Sequence, residues 1–189
     1  MLGGILLYVG TFCLTMILST FLMKWLPQSM ENMEAGYEEL LKYPMILLVL
    51  VICLMPAIGE ELFFRGLLFG SWKFRLGPVK AMLLSSLIFG AFHMSLVKLL
   101  PTALLGLCFA YITRKSESIY PGMVLHFFNN FLAFLTMKYG EEIGSFLPIL
   151  VKTEIEIKDM VGMIVIGSFC LCLGILILEG KLLTENRRK

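Results

Sequence analysis

Long apolar runs broken by short charged connections dominate the chain. A helix needs about 20 apolar residues to cross the hydrocarbon core of a bilayer. Six stretches of that kind are predicted, near 3–23, 44–69, 79–97, 99–113, 119–137 and 160–180. The fourth is short and has Pro101 near its start, so a tilted, re-entrant or continuous helix is open to it. Between the first two spans, Glu31, Glu34, Glu38 and Glu39 alternate with Met30, Met33, Tyr37 and Leu41. That spacing fits either a short helix lying on the membrane surface or a solvated loop. The expected fold is an all-α polytopic membrane bundle of about six transmembrane helices. It forms one integral-membrane domain over 1–189, with a motif-bearing core at about 44–137.

Composition supports this pattern. With 58% hydrophobic and only 16% charged residues, the 189-residue chain lacks the polar surface a soluble domain of its size requires. A nucleic-acid-binding module, a disordered chain and a disulfide-stapled secreted domain are thereby excluded. Cys13, Cys53, Cys108, Cys170 and Cys172 all fall in apolar stretches at irregular spacing, and read as small buried hydrophobes. The first apolar run has no basic residue before it and exceeds a signal-peptide core in length, so it is expected to stay in the mature chain.

Six spans place Lys73, Arg75, Lys80, Arg114, Lys115, Lys181, Arg187, Arg188 and Lys189 on one side. Lys24, Lys42, Lys98, Lys138, Lys152 and Lys158 fall on the other, in longer loops. The positive-inside rule then makes both termini cytoplasmic.

An ionisable side chain at mid-bilayer costs roughly 2.5–3.5 kcal/mol on insertion scales, so each one in a span is a candidate functional group. Three clusters stand out. The second span carries GEELFFRG with Glu60, Glu61 and Arg65; the third ends FGAFH at His93; the fifth carries HFFNN with His126, Asn129 and Asn130. Glu61 and Arg65 are four residues apart and can pair along a helix, while Glu60 is turned about 100° away. His126 and Asn130 share a face by the same spacing, and Asn129 points elsewhere. A buried ion network that only fixes helix packing, and an asparagine that only glues helices together, are the plainer readings of single clusters. Three clusters in one small bundle favour a site.

A carboxylate, two imidazoles and an amide can hydrolyse a bond without a covalent nucleophile. Glutamate serves as general base toward water, imidazole assists it or polarises a carbonyl, and an amide N–H stabilises an oxyanion. No serine or cysteine has an evident base partner. Glu60, His93 and His126 also match the ligand set of some catalytic zinc sites, although the HExxH signature is absent.

The E-E-x-x-x-R of Glu60, Glu61 and Arg65, the F-x-x-x-H of Phe89 and His93, and the H-x-x-x-N of His126 and Asn130 occur in that order. Together they resemble the CAAX protease and bacteriocin-processing (CPBP, or Abi) family of intramembrane endopeptidases. The resemblance implies a glutamate-type peptidase. Glu60 would activate water with His93, His126 and Asn130 would hold the oxyanion, and Glu61 and Arg65 would support the site. No cofactor is expected, zinc on Glu60, His93 and His126 being the alternative. The implied substrate is a membrane-associated peptide or protein, lipidated or not, in a bacterial cell membrane, with a role in peptide maturation or bacteriocin self-immunity. A non-catalytic immunity or peptide-binding protein and a small proton-coupled transporter are the competing classes.

One difficulty accompanies these boundaries. Glu60 lies about 24 Å from the outer end of the second span and His93 about 21 Å from the inner end of the third, which sets them at different depths.

Overall fold

The computed structural model describes residues 1–26, 36, 39–151 and 155–185, with side chains described up to residue 180. Its elements are α1 (Leu2–Trp25), α2 (Met45–Leu76), α3 (Pro78–Phe92), α4 (Leu96–Ser116), α5 (Tyr120–Lys138), the short α6 (Gly140–Phe146) and α7 (Ile157–Glu185). Among the described residues there is no strand. The chain is an integral-membrane helical bundle. The surface-helix reading of 30–41 falls largely outside the described residues.

Among the described residues four helices, α1, α2, α4 and Ile157–Gly180 of α7, are long and apolar enough to cross a membrane. The third and fourth expected spans exchange roles. α3 has only 15 residues and stops at Phe92, and the chain turns at 93–95, where Met94 takes φ 50°. α4 starts at Leu96 and runs for 21 residues with Pro101 buried inside it. A continuous apolar stretch concealed where this hairpin turns, because His93, Met94 and Ser95 carry no glycine or proline signal.

The second span also continues past residue 69 to Leu76, and Gly77, at φ 78°, makes the turn into α3. That shift removes the depth difficulty. Counted from the Gly77 turn, Glu60 lies 17 residues back and His93 16 residues on, so the two stand at similar depths.

The bundle encloses a few polar groups within an apolar core and is apolar outside. Glu61, Arg65 and His126 are among its most buried residues, whereas Ile46, Phe74, Phe92 and Phe169 are largely exposed. α4 is the most enclosed of the four long helices. Its Leu105, Cys108, Phe109 and Ile112 pack with Leu7 of α1 and Leu125 of α5. Its Ala110 meets Phe69 of α2 and Ala81 and Met82 of α3. Leu48, Cys53 and Phe134 join α2 to α5.

α1 packs most extensively against α7. A Cβ at Gly10 would stand 2.7 Å from the Gly167 carbonyl oxygen, and one at Gly174 would stand 2.7 Å from the Leu7 nitrogen. These backbones touch, as small residues permit in membrane helix pairs. Of the five cysteines, Cys53, Cys108 and Cys170 are buried as expected; Cys13 is half-buried and Cys172 exposed.

Candidate active site

α2 is not a uniform helix. Residues Val49–Leu54 and Leu62–Phe69 are wound as π-helix, and the α-helical Met55–Glu61 lies between them with Pro56 in its first turn. Proline has no N–H and crowds the carbonyl four residues earlier, here Ile52, so the turn before it widens. The paired glutamates sit on the short α-helical stretch between two wide turns, a setting in which π-bulges often mark functional sites.

Glu61 is completely buried, and its Oε1 accepts from Arg65 Nη1 at 2.8 Å and from His126 Nδ1 at 2.9 Å. The expected i,i+4 pair is therefore present, and His126 joins it. Arg65 also donates from Nη2 to the Gly106 carbonyl at 2.9 Å, and its guanidinium carbon lies 4.3 Å from the Phe89 ring centroid. Glycine is required at 106: a Cβ there would stand 2.9 Å from Phe89 Cδ1 and 3.1 Å from Arg65 Nη2.

The His126 ring stacks on Phe109 at 5.3 Å and meets Phe89 edge-on at 5.7 Å. Its Nδ1–H is committed to Glu61, which leaves Nε2 facing Glu60 Oε2 at 3.7 Å. Glu60 is 21% exposed, more open than Glu61, and its buried Oε2 has no hydrogen-bond partner. His126 thus stands between two carboxylates, one that fixes it and one left uncommitted.

His93 is not inside a span, as the sequence suggested, but one residue past α3. Its Nδ1 bonds the Phe89 carbonyl at 2.9 Å, which leaves Nε2 with a lone pair in the neutral ring. Phe89 packs edge-on against it at 5.0 Å, and the ring lies within electrostatic reach of Glu60 and His126. Asn130 donates to the Ile52 carbonyl at 3.4 Å. In an α-helix that oxygen would bond the N–H of residue 56, which is proline.

Asn129 does not simply point away. It donates to Asn130 Oδ1 at 3.4 Å and accepts from the Tyr8 hydroxyl at 3.2 Å. Tyr8, Phe109 and Gly106 escaped sequence reasoning, because nothing local marks residues that meet the site only through tertiary contact. Pro56, four residues before Glu60, was the one available signal. Among the described residues no group of three His, Cys, Asp or Glu side chains is placed to hold a metal ion.

Residues 42–132 match the family model described as "Type II CAAX prenyl endopeptidase Rce1-like". Over that segment the chain is similar to that family. The match contains Glu60, Glu61, Arg65, His93, His126 and Asn130, in agreement with the motif resemblance. The matched segment spans all of α2, α3 and α4 and much of α5; α1 and α7 lie outside it. A Bacillus subtilis (strain 168) protein described as "Putative membrane peptidase YdiL" is 28% identical over 117 residues, 62% of this chain and 46% of that protein. The chain therefore aligns with less than half the length of this curated relative. No solved structure matches.

Proposed function

We propose that the protein is an intramembrane endopeptidase in which Glu60 activates water against a peptide bond of a membrane-associated peptide or protein. The supporting observation is the carboxylate–imidazole–carboxylate arrangement: Glu61 fixes His126 through Nδ1, while Nε2 faces an uncommitted Glu60 oxygen across 3.7 Å. That gap is longer than a hydrogen bond, so both groups are free to turn to a substrate. With a proton on Nε2, His126 and Arg65 set two cations against two carboxylates, which makes their burial tolerable.

In the first step water, held by Glu60 and by the His93 Nε2 lone pair, adds to the carbonyl carbon and gives a proton to Glu60. The oxyanion is met by His126 Nε2–H and an Asn130 N–H. The C–N bond then breaks and the amine leaves with the proton from Glu60. The irregular turn at 93–95 lies about 8 Å short of a full crossing, and non-helical backbone at membrane depth requires protein or water around it. It therefore also supports a route for water to His93.

Glu60, His93 and His126 are not gathered as a ligand set, and Glu61 Oε1 is shared between Arg65 and His126. The proposed reaction uses no metal, because a carboxylate and an imidazole can activate water unaided. Its setting is a bacterial cell membrane, with peptide maturation or self-immunity as the biological role.

The test is mass spectrometry of peptides from membranes holding wild-type or Glu60→Gln protein, followed by purified turnover. Glu60→Gln is expected to insert and accumulate normally and to lose about 10²–10⁴-fold in kcat. Full activity in the purified variant would remove Glu60 as base. Immunity that persists without cleavage would favour the peptide-binding reading.

A further inference from the structure

We infer that Tyr8 and Asn129 are positioning residues of the active site, holding the Asn130 amide through a hydrogen-bond chain that crosses three helices; this rests on the peptidase reading above. The chain starts on α1, outside the Rce1-like segment. The Tyr8 hydroxyl donates to Asn129 Oδ1 at 3.2 Å, Asn129 Nδ2 donates to Asn130 Oδ1 at 3.4 Å, and Asn130 Nδ2 donates to the Ile52 carbonyl at 3.4 Å. Both ends of the Asn130 amide are thereby engaged, which fixes its plane. A primary amide nitrogen carries two hydrogens. One goes to Ile52, and the other is the donor available to an oxyanion.

The amide could not hold this orientation from its own helix alone. Asn129 and Asn130 are adjacent on α5, so their side chains diverge by about 100°. They meet only because Asn129 is drawn round by a partner on another helix. Tyr8 is set against the site a second time by ring packing: it stacks on Phe109 at 6.3 Å, and Phe109 stacks on His126. The neighbouring Leu7 backbone is held by contact with Gly174 of α7. Each donor in such a chain polarises the next, so loss of the first hydroxyl weakens the last bond as well.

The experiment uses the full chain in proteoliposomes with a peptide cleaved by wild type but not by Glu60→Gln. kcat, KM and melting temperature are measured for Tyr8→Phe, Asn129→Leu, Asn130→Ala and the Tyr8→Phe/Asn130→Ala double variant. Tyr111→Phe is the control, because its hydroxyl bonds Glu179 and takes no part in the chain. Tyr8→Phe and Asn129→Leu are expected to lower kcat about tenfold with KM nearly unchanged, short of the roughly 100-fold that a 1 Å misplacement can cost. In the Asn130→Ala background, Tyr8→Phe should cost nothing further.

Unchanged kcat in Tyr8→Phe, equal losses in both backgrounds, or a kcat loss matched by Tyr111→Phe would overturn the inference. Because Tyr8→Phe keeps the stacked ring, it serves as the deciding variant if Asn129→Leu does not fold. Wild-type protein that cleaves nothing would sink the peptidase reading and this inference with it. Cleavage lost in Glu60→Gln but complete in Tyr8→Phe would remove the inference alone.

Discussion

Arg65 is held from three directions, by Glu61, by the Gly106 carbonyl and by the face of Phe89. Only the first lies on its own helix, so only the first could be read from spacing. Removing either member of the Glu61–Arg65 pair strands a buried charge, at a cost of roughly 3–5 kcal/mol. Arg65→Ala and Glu61→Ala should therefore both lower folded yield and melting temperature. Glu61→Ala should in addition reduce kcat among the molecules that fold, since it alone releases His126. Normal thermal stability in both would show that the network does not support the fold. Chemistry at the residue scale also bears on metal. A carboxylate and an imidazole can activate water unaided, so turnover should survive prolonged chelation and dialysis. Loss of activity restored by stoichiometric zinc would make Glu60, His93 and His126 ligands instead.

At the scale of the element, α2 sets the geometry. Pro56 denies Ile52 its α-helical donor, the turn before it widens, and Asn130 on α5 bonds the Ile52 oxygen. One proline thus links the local winding of α2 to the neighbouring helix. Pro56→Ala returns an N–H to the backbone and relieves a residue that costs up to about 3 kcal/mol inside a helix. The melting temperature is expected to rise while kcat falls, because a regular α2 would turn Glu60 relative to His126 and free Asn130 from Ile52. A more stable variant with intact turnover would show that the π-helical turn has no part in the chemistry. α3 teaches a related lesson. Its apolar run continued past His93, so the pattern put the break between the third and fourth spans near residue 98, where the chain in fact turns at 93–95.

For the whole molecule, polar groups are drawn to the centre from helices far apart in sequence, with α4 as the enclosed post against which α1, α3 and α5 rest. We propose that an even number of crossings leaves the termini on one face, and the positive-inside rule would make that face cytoplasmic. Tags at the two ends should both resist protease in intact spheroplasts and be cut after lysis. Cleavage of either tag in intact spheroplasts would reverse or break that topology.

Composition and periodicity alone determined that this chain is a helical membrane protein, because lipid demands long apolar helices wherever they occur in sequence. The motif residues and the Glu61–Arg65 pair were legible for the same local reason: groups four apart on a helix must share a face. The tertiary structure decided what each group faces. It joined His126 to Glu61 across 65 residues, moved His93 to a helix end, turned Asn129 toward Asn130, and brought Tyr8 in from α1. Helix spacing fixes directions within one helix, but which faces of two helices meet depends on packing contacts, such as those at Gly10, Gly106 and Gly174, that no local pattern encodes.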